Sequence, residues 1–213
     1  MTIRHHLSDD VLMAYSAGDL PEAFSLVVAT HVSMCDECRA RMESFDAVGG
    51  AVLAQGDTAA IGADSLAATM ALIKSGPPQD KAPVRRSGIF PAPLADYAGD
   101  GPGAVKWRRV GGGVRQAILP TDSGASARLL HIPAGAAVPD HGHHGLEMTL
   151  VLQGAFRDET ARFGRGDVEI ATEADEHTPV AELGEDCICL AATDAPLRFT
   201  ALLPRLAQPF FRI

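Results

Sequence analysis

The sequence has no apolar run approaching the ~18 consecutive residues that read as a membrane span, although hydrophobic residues fill 46% of its 213 positions. A helical membrane protein is thereby excluded, while enough apolar material remains for one large core or two small ones. Cysteine is equally scarce: the 4 present fall as Cys35-x-x-Cys38 and Cys187-Ile-Cys189. That is too few and too clustered for a secreted disulfide framework, so a reducing compartment and metal ligation are the simpler account. The opening segment, polar through His5, His6, Asp9 and Asp10, offers no secretory h-region, and a cytoplasmic location is expected. Positive charge is thin, with 18 Lys and Arg against 27 Asp and Glu. Residues 1–80 hold 4 against 11, a net −7, which repels nucleic acid and argues against direct binding to it.

Helical spacing dominates the first third. Ser8 precedes Val11, Leu12 and Tyr15 as an N-cap, and Gly18 closes that helix. Pro21 suits the first turn of a second helix carrying Phe24, Val27, Val28 and His31. Asp36 can cap a third, running through Arg39, Met42, Phe45 and Val48 to a stop at Gly49-Gly50, and Asp64 a fourth, over Leu66, Met70 and Ile73 to Gly76. Prolines 77, 78, 83, 91, 93 and 102 then predict a semi-extended linker. Beyond Trp107 the texture becomes short apolar runs split by Gly, Pro and Asp: 114–119, 127–132, 148–152, 168–171, 187–191 and 198–203. Such spacing predicts a β-sandwich or barrel. The expected architecture is therefore multidomain α + β: a small helical bundle over 1–76, a linker over 77–103 and a barrel over 104–213.

Two sets of metal-ligand residues sit on these two folds. His31 and Cys35 are four apart and share a helical face, and Cys38 follows at the start of the next helix. Tetrahedral zinc needs a fourth donor, for which His5 or His6 is the nearby supply. Two thiolates and two imidazoles would neutralise the ion and leave no open position, which makes the role structural. A thioredoxin-like redox pair is the competing account, but no βαβ pattern surrounds the motif.

The string His6-Leu-Ser-Asp-Asp-Val-Leu-Met-Ala-Tyr-Ser-Ala-Gly, followed by His31-x3-Cys35-x2-Cys38, resembles the zinc-binding anti-sigma domain over about residues 1–76. The resemblance implies that His6 is the fourth ligand. It also implies a partner, an extracytoplasmic-function sigma factor of the SigE/RpoE-like kind, held one-to-one by three helices inserted between its two DNA-binding regions and a fourth on the far side. A sigma factor's polymerase and promoter surfaces are basic, so a net −7 partner is electrostatically matched. Met42, Phe45 and Val48 on the third helix and Leu66, Met70 and Ile73 on the fourth are candidate partner anchors; the plain alternative is that they fill the bundle's own core.

Farther on, Gly135-x5-His141-x-His143-x3-Glu147-x6-Gly154 resembles the first cupin motif, with every fixed residue present. His141, His143 and Glu147 share parity and so can face one side of a strand, the interior of a jelly-roll barrel. The second cupin motif is only partly recognisable, with Thr172 and Ala174 where Pro and Gly are usual, and no histidine follows His177, which is assigned as the fourth ligand. His144 has the opposite parity and is expected in solvent. These donors suit zinc, iron, manganese or nickel, so spacing does not name the metal. Cys187 and Cys189 share one strand face; they are either two small buried residues or oxidation targets near the metal.

The pairing of both resemblances is that of the ChrR-type anti-sigma factors. What it implies is an inhibitor of a sigma factor, hence of transcription, released by singlet oxygen or related photo-oxidative or peroxide stress sensed through the cupin-like domain, with no enzymatic activity. The alternative is a cupin dioxygenase or isomerase with a helical accessory, for which the sequence lacks an obvious general base beyond the ligands, although Glu169 and Glu182 lie on neighbouring segments. A helix-turn-helix DNA binder is the poorest reading, since the third helix carries few basic residues.

Overall fold

The computed structural model describes residues 2–76 and 88–199. Four helices open the chain: α1 (Asp9–Ala17), α2 (Glu22–Val32), α3 (Asp36–Ala54) and α4 (Ser65–Ser75). Gly18 adopts φ 77°, the left-handed turn that ends α1. Gly49 and Gly50 do not stop α3, which continues to Ala54. A glycine pair weakens a helix by about 1 kcal/mol per residue without forbidding it, and neither glycine has an atom within 4 Å of where a side chain would begin.

The expected linker departs from its prediction. Residues 77–87 lie outside the described residues, but Ala92–Ala98 form a further helix, α5, with Phe90, Leu94 and Ala95 buried. Pro91 and Pro93 sit at its N-terminal edge, where proline's missing N–H costs nothing. Tyr97 Oη donates to Glu22 Oε1 at 2.6 Å, tying α5 to the start of α2.

Twelve strands follow among the described residues. The large sheet is antiparallel throughout, in the order β1 (Arg108–Gly111), β2 (Val114–Ile118), β3 (Ser126–Ile132), β11 (Cys187–Thr193), β5 (Glu147–Gln153), β8 (Val168–Ala171). Two small sheets close it into a barrel: β10 (Val180–Ala181) with β6 (Ala155–Arg157) and β7 (Arg162–Gly164), and β12 (Arg198–Phe199) with β4 (His141–Gly142) and β9 (Glu176–His177). Val114, Ile132, Val151, Phe156, Phe163, Cys187 and Cys189 fill the interior.

The other face of the large sheet is covered by α2. Phe24, Val27 and Val28 of that helix share one core with Leu129 of β3, Leu150 and Leu152 of β5, and Ile188 and Leu190 of β11. Alternate residues of β11 therefore face the barrel interior and α2, and the whole strand is buried. The helical and barrel parts are not beads on a string; they are two layers over a common core. Among the described residues no single helix is long and apolar enough to cross a membrane, and the apolar pair α1 and α2 is bent by 112°.

Candidate metal centres

The N-terminal centre is assembled where α2 ends and α3 begins. His31 lies in the last turn of α2, Cys35 is the N-cap of α3 with its Sγ accepting from Cys38 N at 3.5 Å, and Cys38 sits in the first turn. The segment ahead of α1 delivers His6, whose Nδ1 lies 3.3 Å from Cys35 Sγ and 3.6 Å from Cys38 Sγ. Zinc bonds of the usual length place tetrahedral N and S donors about 3.5 Å apart. All four donor atoms fall within 4.8 Å of one another. His5, the other candidate, instead turns its ring against Phe163, with centroids 4.4 Å apart.

The two imidazole donors have partners outside the cluster, His6 Nε2 lying 3.5 Å from Glu37 Oε2. His31 Nδ1 lies 2.9 Å from the Gly166 carbonyl, which can only accept, so Nδ1 carries the proton and Nε2 presents a lone pair. That Nε2 is buried with no hydrogen-bond partner. Burial holds the His31 imidazole down at about 4, so it stays neutral. Burial pushes the Cys38 thiol up to about 11, with Cys35 adding to the effect and the Leu7 backbone opposing it. A buried pair of thiols becomes a pair of thiolates when a cation compensates the charge, which fits a resident metal.

In the barrel, His141 of β4 pairs directly with His177 of β9. The Nε2 atom of His177 lies 3.2 Å from that of His141 and 3.3 Å from that of His143. The corresponding edge of a tetrahedron with zinc–nitrogen bonds is about 3.3 Å. The outer nitrogens are again committed: His141 Nδ1 to the Pro139 carbonyl and His177 Nδ1 to Glu169 Oε1, both at 2.9 Å. Those donors leave lone pairs on the inner nitrogens, the arrangement a metal requires.

Glu147 stands beside this cluster rather than within it. Its Oε2 is 3.6 Å from His143 Nδ1, the outer nitrogen, and its Oε1 accepts from Thr149 Oγ1 at 3.0 Å. The three imidazoles, without Glu147, are the donors that converge. His144 is exposed, as its parity predicts.

Charge around the barrel cluster favours a cation. Burial lowers His141 and His143, but for His177 the hydrogen bond it donates to Glu169 and the charges of Glu169, Glu147 and Asp158 outweigh burial and raise it to about 9. Burial also lifts the Glu169 carboxyl to about 7, while Asp158 is driven down by bonds to Glu169, Ala161 and Thr160 that outweigh its own burial. These two acids form a second layer behind His177. Glu169 was singled out in the sequence only as a possible base on a neighbouring segment; Asp158 had no sequence signal.

Other expected residues are placed plainly. Glu182 accepts from Arg157 and Arg162, both at 3.0 Å, and does not reach the cluster. Cys187 and Cys189 bring their sulfurs to 3.5 Å inside the barrel, and the contact with Cys187, then burial, raise the Cys189 thiol. Protonated buried thiols are slow nucleophiles. Met42 and Phe45 pack partly against the core, whereas Val48, Leu66, Met70 and Ile73 are exposed. A cavity of about 400 Å³ lies at the seam between the N-terminal segment and the barrel, and both His6 and His177 line it.

The model of the ChrR cupin-like domain matches residues 101–196. Over 214 aligned residues the chain is 65% identical to the anti-sigma-E factor ChrR of Cereibacter sphaeroides, covering 100% of both. A solved structure of ChrR in complex with SigE from Rhodobacter sphaeroides is 63% identical, with a TM-score of 0.80, and the match covers 91% of this chain and 100% of that one. Identity of that order over the whole length makes this chain a member of the ChrR anti-sigma family.

Proposed function

We propose that the chain is an anti-sigma factor that binds an extracytoplasmic-function sigma factor of the SigE class one-to-one and withholds it from RNA polymerase. The observation that carries this reading is the apolar surface on the distal half of α3 and on α4. Val48, Val52, Leu53, Leu66, Leu72 and Ile73 are each at least 63% exposed, and α4 has no buried residue. Large apolar side chains left exposed in such number on two helices mark a protein interface. Kinship to a protein crystallised with SigE names the partner class.

In this reading His6, His31, Cys35 and Cys38 hold a structural zinc that fixes the angle between α2 and α3. His141, His143 and His177, with Glu147 as a fourth donor after a small side-chain shift, hold zinc or another divalent ion in the barrel. That second centre is the sensor for singlet oxygen or related photo-oxidative or peroxide stress, and the protein works in the cytoplasm, where its 4 free thiols stay reduced. No observation favours the cupin-enzyme alternative: Glu182 is engaged by two arginines, and Glu169 is engaged by His177.

Co-expression of the whole chain with a SigE-class sigma factor, followed by co-purification and an in vitro transcription assay, tests the proposal. A one-to-one complex that is silent in transcription is the expected result. Failure of the whole chain to bind would overturn it.

A further inference from the structure

The two centres are built from different parts of the chain, yet one short stretch of the barrel touches both. We propose that residues Gly166–Glu169 join the N-terminal and barrel metal centres, so that Asp167 is a positioning residue for the N-terminal site and reports the state of the barrel to it. As a route for the sensor, the coupling rests on the anti-sigma reading; as chemistry, it rests on the contacts that follow.

On the N-terminal side, the buried carboxylate of Asp167 accepts Arg4 N at 2.6 Å and His5 N at 3.0 Å through Oδ1, and Gly164 N at 2.8 Å through Oδ2. Val168 N in turn donates to the His5 carbonyl at 3.2 Å. His5 is thereby clipped at both its N–H and its C=O, and the next residue is the ligand His6. One position earlier on the barrel, the Gly166 carbonyl orients the other imidazole ligand, His31. Gly166 has φ +88°, and a side chain there would begin 2.7 Å from Ile3 Cδ1, so glycine is needed both for the turn and for the approach of the N-terminal segment.

The division of labour is clear. Both thiol ligands belong to the start of α3; of the imidazoles, His31 is carried by α2 and oriented by the Gly166 carbonyl, while His6 follows the His5 backbone clipped to the barrel and lays its Nε2 3.5 Å from Glu37 Oε2 of α3. On the barrel side, Glu169 lies two residues beyond Asp167 and points inward to accept His177 Nδ1–H. Asp167 lies just ahead of β8 and turns to the N-terminal segment, whereas Glu169, inside β8, faces the barrel cluster, so the two carboxylates reach different centres across a single intervening residue. Losing the barrel ion, or displacing His177, removes the constraint on Glu169 and with it on the start of β8. Coupling of this kind is reciprocal, so loss of the N-terminal ion weakens retention in the barrel by the same factor.

The test uses the full chain loaded with cobalt(II), because an ion held by Cys35 and Cys38 has a thiolate-to-metal absorption that an ion held by imidazoles lacks. Decay of that band after a chelator is added reports release from the N-terminal site alone. Asp167→Ala is expected to speed the decay about 10-fold or more, the scale of a lost outer-shell partner, and Asp167→Asn, which keeps one acceptor oxygen, to fall between. Glu169→Gln is expected to speed the same decay in the parent chain and to add little in the Asp167→Ala background. An unchanged rate in a folded Asp167→Ala chain overturns the positioning role, and effects of the two substitutions that simply multiply overturn the coupling. Should Asp167→Ala fail to fold, Ile3→Ala, which removes the side chain seated on Gly166, is expected to move the rate in the same direction, and no change there overturns the proposal. No sigma factor is present in this assay, so a chain that cannot bind one would overturn the proposed function and leave the coupling result standing.

Discussion

Helices α2 and α4 are the same length, 11 residues each, and both are apolar, yet eight residues of α2 are buried and none of α4. Composition does not distinguish them; the location of the partner does. The surface that covers α2 is the sheet of this same chain, supplied by β3, β5 and β11. No described residue of this chain buries α4, and in the proposed function its cover is the sigma factor. An apolar helix is thus a statement that something must pack on it, and the structure decides whether that something is encoded in the same sequence.

Substitutions can break or sharpen that contrast. The largest effect is expected at the proposed N-terminal metal centre, where α2 ends and α3 begins. Cys38→Ser should remove one of two metal equivalents by elemental analysis and abolish sigma binding, because metal binding at such a site is folding free energy, roughly 10 kcal/mol or more in small zinc domains. Next comes α2 itself. Phe24→Ala, at a residue only 2% exposed, should cost about 3–5 kcal/mol in denaturant unfolding, and one cooperative transition shared by helices and barrel is expected because they share a core. On α4 the outcome should invert: Leu66→Ala leaves stability within about 0.5 kcal/mol, while sigma affinity measured by calorimetry drops roughly 10-fold or more. If Leu66→Ala were as destabilising as Phe24→Ala, the contrast between the two helices would fail. The smallest effect is expected at Glu182→Ala, where two exposed arginine pairs contribute at most about 1 kcal/mol each and sigma binding should not change.

The sequence carried much of this and concealed the rest for physical reasons. His141 and His143 were legible because alternate residues of a strand face one way, and the convergence with His177 follows from direct pairing of β4 with β9. Glu147 shares the parity, but parity fixes only a face. It does not fix the rotamer, which here turns the carboxylate to Thr149 and the outer nitrogen of His143. Helix α5 was hidden because proline density reads as linker, whereas prolines grouped at a helix start are tolerated. The docking of α2 on the sheet was the largest omission. Periodicity shows that Phe24, Val27 and Val28 form an apolar stripe, and that β11 is apolar on both faces, but it does not say that the two unsatisfied surfaces belong to each other.

The central position of β11 has a consequence in time. This strand lies between β3 and β5 in the large sheet, and it begins 155 residues after α2 ends, from Val32 to Cys187. At the usual pace of synthesis, that distance is on the order of 10–30 s on the ribosome. Throughout that interval the apolar stripe of α2 has emerged while the middle of its cover does not yet exist. The sheet cannot close, and α2 cannot be sealed, until nearly the last strand is made. A nascent chain of this protein therefore displays the stripe of α2 in addition to the apolar surfaces of α3 and α4 that the finished one keeps, and a message broken before codon 187 would yield a product that stays in that sticky state for as long as it survives.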